Sequence, residues 1–251
     1  MIDSWFAVNL PRTDVGRANP TGIGHRVRLK LAIVGVVFLC LIVLKLTSGL
    51  WVSGIGHGLM CHERASASDA ILIENFDPDY LLFERAAAIE KAGLASRVLV
   101  PGEASSDPDV PNPVSIGFVE VMARTAHLQH VTFIPVSERE PITFGVARQV
   151  RSFLVKNGIR SVILISPGFR SRRSFLVNKA VLGDAAVTVN CVPVFGQAMT
   201  PATWSQTWHG LQVVFEQFAK LQDYRFYVLP FFSSAKPDGQ AVATGRDIWL
   251  N

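Results

Sequence analysis

Charge is scarce in this chain, and familiar catalytic signatures are missing. Only 18% of its residues are Asp, Glu, Lys or Arg against 49% hydrophobic, which is apolar for a soluble domain. No GxSxG or HExxH occurs, nor GxxxxGK followed by Ser or Thr, so ordinary serine hydrolase, zincin and P-loop NTPase readings have no support. The glycine clusters around Gly22 and Gly56 follow no predicted strand, which excludes a dinucleotide loop at either. Cysteine and histidine are few. His57, Cys61 and His62 lie close together and His127 and His130 form HxxH, but neither set has a third ligand at metal-site spacing. No metal and no other cofactor is predicted, and no internal repeat is visible.

What is abundant is one apolar run. From Leu29 to Val52 the only charges are Lys30 and Lys45, and at about 1.5 Å per residue the run spans a hydrocarbon core of about 30 Å. Lys45 can snorkel near the far end, and Trp51 falls at interfacial depth. His25, Arg26, Arg28 and Lys30 stand at the start of the run, whereas the stretch from Leu46 to Asp69 has Arg64 as its one Lys or Arg, beside Glu63 and Asp69. The positive-inside rule therefore predicts a cytoplasmic amino-terminal tail, a single-pass anchor in the cytoplasmic (inner) membrane, and an extracytoplasmic (periplasmic) main domain. A cleaved signal peptide is the competing reading, because Ala65-Ser66-Ala67 has the small-x-small pattern of a cleavage site. That site lies well past the apolar run, and the run is long for a signal peptide, so a retained anchor is expected.

The chain carries a formal net charge of +4, and the residues through Lys45 already supply all of it. The remainder is formally neutral, so the basic character belongs to the anchor and no nucleic-acid partner is predicted. Of the three cysteines, Cys40 lies in the span. An oxidising compartment would permit Cys61 and Cys191 to bridge, but the sequence does not decide whether they meet.

The organisation reads as a tail over 1–28, a transmembrane helix over 29–52, a linker over 53–68 with a Gly54-Gly56-Gly58 hinge, an α/β domain over 69–229, and an irregular tail over 230–251. Within the domain, strands are expected at Ala70–Glu74, Arg97–Pro101, Val131–Val136, Ser161–Ser166 and Val187–Val194. Helices separate them, and a long helix from about Pro201 to Tyr224 closes the unit. Continuous apolar strands between amphipathic helices predict a Rossmann-like, doubly wound, mainly parallel five-stranded sheet covered on both faces. On the closing helix, Trp204, Trp208, Leu211, Phe215 and Phe218 fall on or near one face and read as core packing. Glu216 and Lys220 have the spacing of a surface ion pair.

In such a fold, ligands collect outside the carboxyl ends of the strands. The exits supply Glu74 and Asn75, Gly102 and Glu103, Ser137 and Glu138, and Ser166, Pro167 and Gly168. The last exit opens into FRSRRS, which places Arg170, Arg172 and Arg173 in a first helical turn. Cations there oppose the macrodipole, whereas a bound anion would reverse the penalty and meet bidentate guanidinium donors. Candidate ligand-binding residues are Arg170, Arg173, Ser166, Gly168, Thr143 and Glu103. Glu138 and Glu74 are the candidate catalytic carboxylates. A structural ion-pair network is the equal alternative for these charges, and helix capping the simpler role for Thr143.

With these residues in place, DAILIE at Asp69, EREPITFGVARQV from Glu138, ISPGFRSRRS from Ile165 and the aromatic closing helix with Glu216 resemble the YdcF-like (SanA/ElyC-like) family. Glu138, Thr143 and Arg173 match its pattern position by position. Two departures stand out: the glycine-rich turn after the first strand is Glu74-Asn75-Phe76, and Arg170 occupies the place of the usual His, which leaves anion binding but removes that proton carrier. The resemblance implies a membrane-tethered Rossmann-like domain of envelope or surface-polysaccharide biogenesis. The expected partner is then an anionic small molecule or lipid-linked precursor, bound and, if bonds break there, processed. Two alternatives stand beside it: a non-catalytic scaffold holding envelope-assembly proteins in the membrane, and a nucleotide- or S-adenosylmethionine-binding domain, for which Glu74 or Glu103 would be the ribose acid.

Overall fold

The computed structural model describes residues 21–62, 65–74, 79–107, 110–137 and 141–232. Helix α1 runs from Thr21 to Gly58, and within it Val27–Gly49 is apolar and long enough to cross a membrane, with none of its apolar stretch buried. The chain divides into two compact units between Gly49 and Leu50. In the first, α1 is the only described element and is apolar all round, as a helix solvated by lipid would be.

The second unit is the α/β domain. Its elements are β1 (Ala70–Ile73), α2 (Tyr80–Lys91), β2 (Val98–Glu103), α3 (Pro113–Thr125), β3 (Val131–Val136), α4 (Ile142–Lys156), β4 (Ser161–Pro167), α5 (Ser171–Gly183), β5 (Thr188–Val194), α6 (Trp208–Asp223) and α7 (Leu229–Phe232). The sheet is wholly parallel in the order β3-β2-β1-β4-β5, so it is doubly wound. Central β1 is buried at every position, which explains its unbroken apolar sequence. Alternate residues serve opposite faces. Ile71 and Ile73 pack with Leu82, Phe83, Ala86 and Val119 of α2 and α3, while Ala70 and Leu72 pack with Val146, Val150, Leu154 and Leu182 of α4 and α5. Asp69 latches the sheet before β1, its Oδ2 accepting from the amides of Arg160 at 2.8 Å and Ser161 at 2.9 Å. These bonds, the Arg160 amide foremost, hold its carboxyl below the ordinary value.

Sequence expectations are corrected in the juxtamembrane segment and in the closing helix. Gly54, Gly56 and Gly58 are not a hinge, because α1 continues through all of them. A Cβ on Gly56 would lie 2.8 Å from Trp204 Nε1, so this glycine is small to admit an indole. Val52, Ile55 and Leu59 then join Phe169, Trp204, Val214 and Leu221 in one apolar cluster, and the predicted linker is partly core.

Cys61 is bonded to Cys191 of β5, across 130 residues of sequence. The linker therefore reaches the sheet covalently, and Cys61 is withdrawn from the His57-His62 set.

The closing helix is not continuous from Pro201. A 3-10 turn covers Trp204–Gln206, Thr207 breaks it in an extended conformation, and the Thr207 side chain caps α6 by accepting from the Gly210 amide. A Cβ on Gly210 would stand 2.0 Å from the Trp204 carbonyl oxygen, which fixes this sharp join. The break separates Trp204, 4% exposed, from Trp208, 81% exposed. Leu211, Phe215 and Phe218 are also exposed, so the stripe read as core is an uncovered face. Past α6 the chain makes a π-helical turn over Tyr224–Val228 before α7. Residues 233–251 of the predicted tail lie outside the described residues, as do residues 1–20.

Candidate functional site

Strand order reverses between β1 and β4, and Glu74 leaves β1 there beside Ser166 of β4. The Glu74 amide donates to the Ile165 carbonyl at 2.9 Å, which carries the ladder one residue further and points the Glu74 side chain into the fold. Glu74 is 5% exposed, and its carboxylate is well supplied with donors. Ser166 Oγ donates to Oε2, Ser174 Oγ donates to Oε1 at 2.8 Å, and Arg170 Nη1 stands 3.9 Å from Oε1.

Arg173 completes the cluster. It is 8% exposed, with its guanidinium 5.2 Å from the centre of the Tyr224 ring, within cation–π range. Burial lowers its pKa most, the field of Glu74 opposes that, and Arg170 adds to the lowering. Arginine keeps its charge under such shifts. Arg173 Nε is buried and has no hydrogen-bond partner among the described residues. Among the described residues, the buried Glu74 carboxylate is thus approached by the Arg170 guanidinium and feels the charge of Arg173, whose Nε is left as an unused donor. An anion's oxygen would satisfy that buried donor.

The arginines reach this place differently from the simple helix-start expectation. Arg170 ends a 3-10 turn over Gly168–Arg170 and stands at the N-cap of α5. Arg172 and Arg173 lie in the first turn of α5, but the Arg172 amide donates to the Leu59 carbonyl at 3.0 Å. Ser171 Oγ donates to the Gly168 carbonyl at 2.5 Å and accepts from the Cys61 amide at 3.0 Å. The start of this helix is sealed by the chain leaving α1, so anion recognition falls to side chains.

Two hollows flank the cluster. A small cavity of about 20 Å³ behind Glu74 is lined by Thr143, Pro101, Asn178 and apolar residues of α4, with room for about one water. Among the described residues no side-chain cap bond is made at the start of α4 by its N-cap residue, Pro141; Thr143, one residue into the helix, is instead buried on the cavity that Glu74 also lines. On the other side, a cleft of about 150 Å³ at the β4 and β5 exits is lined by Arg170, Asp79, Phe169, Phe195, Gln217 and others. Gln217 Oε1, buried there, also has no partner among the described residues.

Other sequence candidates fall elsewhere. Glu103 is exposed at the end of β2, where its carboxylate accepts from Asn112 Nδ2 at 3.3 Å. Glu138 and Asn75 lie outside the described residues. The neighbouring Ser137 is held at both backbone groups by the Gln149 amide, at 2.8 and 2.9 Å. Glu216 pairs with Lys220 at 2.5 Å. That lysine, followed by the weaker fields of Arg170 and Arg173, lowers the Glu216 pKa.

Gly168 has a packing role. A Cβ there would lie 1.9 Å from Cε1 of the Phe195 ring, which stacks edge-on with Phe169 at 5.3 Å. Gly168→Ala is expected to destabilise the domain by about 1–3 kcal/mol through overpacking. Urea unfolding of the purified chain measures this, and an unchanged midpoint would contradict the packing assignment.

Sequence reading missed Ser174, Asn178 and Tyr224. A signal existed for two of them, since Arg170, Ser174 and Asn178 recur every four residues and so share one face of α5. Nothing in the local pattern around Tyr224 marks it as the platform for Arg173.

Fold and site together define a doubly wound α/β domain with a buried carboxylate–arginine cluster at its topological switch point. Set against models of known families, curated proteins and solved structures, the chain matches none.

Proposed function

We propose that this chain is a single-pass membrane-anchored protein whose extracytoplasmic domain binds a phosphorylated or otherwise anionic envelope metabolite, such as a lipid-linked precursor, at the exits of β1 and β4. The observation that carries the reading is the buried Arg173 Nε, which has no hydrogen-bond partner among the described residues, beside the Arg170–Glu74 pair at the strand exits. Arg170 lines the open cleft and would make first contact, while Arg173 supplies buried positive charge from behind. Glu74 is held by two serine hydroxyls, so it would orient the guanidiniums and is poorly placed as a ribose acid. Should a bond be broken at the site, Glu138 would be the carboxylate to position water or a hydroxyl.

Two features support the anchor and its outward domain. The disulfide fits an oxidising compartment. Cleavage at Ala65-Ser66-Ala67 would also cut away Cys61 and Leu59, which are 4% and 1% exposed within the domain. A scaffold role holding assembly proteins is the second reading, favoured by the uncovered aromatics of α6.

The test is retention of co-purified ligand. Full-length wild type, Arg170→Ala and Arg173→Lys are purified in parallel and extracted for phosphorylated lipids and nucleotides by mass spectrometry. A specific ligand is expected with wild type and should fall at least about tenfold in either variant, the loss of one charge-assisted contact. Equal retention in all three, or none in any under several extraction conditions, would sink the clamp.

A further inference from the structure

Helix α6 has two apolar faces. Gly210, Val214 and Leu221 are buried against the domain. Trp208, Leu211, Phe215 and Phe218, at spacings of three, four and three, form a second stripe with exposures of 81, 41, 73 and 41%. Across the π-helical turn, Phe226, Tyr227 and Phe231 are 69, 58 and 66% exposed. So many exposed aromatic and apolar side chains on one helix and the turn after it mark a surface that something covers.

The chain itself limits what that something is. The buried face of α6 shares a cluster with Val52 and Ile55, which follow the last residue of the candidate span, Gly49, by three and six positions. Even fully extended, six residues reach only about 21 Å, so the partners of α6 are tethered close to any bilayer that holds the span. The stripe is also mostly aromatic, and Trp, Tyr and Phe rings suit the boundary between headgroups and acyl chains. Its flanks carry both signs, with Glu216 and Asp223 beside Lys220 and Arg225, so no anionic lipid is required for attraction.

We propose that the exposed aromatic face of α6, continued by Phe226 and Phe231, lies in the interfacial layer of the same bilayer that holds Val27–Gly49. The helix is thus a second, in-plane attachment, with its inner face on the domain and its outer face in lipid. This rests on the anchor part of the proposed function and is independent of the anion site.

The test uses the full chain in phosphatidylcholine proteoliposomes, with a nitroxide on single free cysteines. Native Cys40, in the span and free, is the lipid reference. Phe215→Cys and Glu216→Cys are each made with Cys40→Ser, and the Cys61–Cys191 bond does not react with the label. The readout is the ratio of collisions with oxygen, which partitions into lipid, to collisions with a water-soluble nickel chelate. The ratio at position 215 is expected to fall between those at Cys40 and at 216, as an interfacial depth requires, to exceed that at 216 severalfold, and to persist in high salt. A ratio at 215 equal to that at 216 would overturn the docking alone, provided Cys40 reads as lipid. Suppression of both collisions at 215 would overturn it too, in favour of a second copy if spin–spin broadening appears and of another protein surface if it does not. A water-like ratio at Cys40 would overturn the anchor and the docking together.

Discussion

Glu74→Ala is expected to lower the stability of the domain by about 3–5 kcal/mol, the cost of leaving buried charges without their partner. Removing this carboxylate takes from Arg173, which is 8% exposed, the strongest of the fields that favour its charge, and takes the acceptor from the hydroxyls of Ser166 and Ser174. Glu74→Gln should cost less, because its carbonyl oxygen still accepts a hydroxyl proton while the charge is lost. The ordering wild type, Gln, Ala in urea midpoint is the diagnostic. An Ala variant within about 1 kcal/mol of wild type would mean that the arginines are solvated and the cluster is not a buried network. If a bound anion sits opposite Glu74, added phosphate should recover part of the loss in the Ala variant, since it would restore a partner for the guanidiniums.

Replacing Cys61 and Cys191 together by serine is expected to cost up to about 5 kcal/mol, the loop-closure contribution of a bridge across 130 residues. The bond holds the segment after α1 to an edge strand of the sheet, next to the bonds from Cys61 and Leu59 to the start of α5. Loss of the bridge should therefore loosen the helix that carries the arginines as well as lower the midpoint. Urea unfolding with and without reductant measures the first effect, and amide exchange at Arg172 the second. Identical midpoints in the two conditions would show that the cysteines are not joined.

Much of the architecture could be read from the chain because β1 and β4 are buried on both faces, and that burial imposes uninterrupted apolar runs. Strand exits followed directly, so Glu74, Ser166, Arg170 and Arg173 were named before their convergence was visible. Convergence itself depends on strand order, which local pattern does not encode. The same limit explains Ser174 and Asn178, ordinary helix residues until α5 is laid across the end of β1. The misread stripe on α6 has a different origin. Hydrophobic periodicity reports that a helix face is apolar and says nothing about what lies against it, so Phe215, exposed, and Val214, buried, look alike in sequence. Gly56 failed for a related reason: glycine in a series suggests a bend, whereas the indole of Trp204 arrives from about 150 residues away in sequence. Thr207 was legible in hindsight, as a threonine three residues before the glycine whose amide it caps.

The stitching of Leu59 and Cys61 into the domain has a practical consequence. A soluble fragment beginning at Ala65 would expose the hole left by Leu59, free the thiol of Cys191, and leave the Arg172 amide without its carbonyl. Such a fragment would be missing a structural part as well as its membrane address. A water-soluble version should keep the last turns of α1 from Val52 onward, with their greasy outer positions recoloured to polar residues.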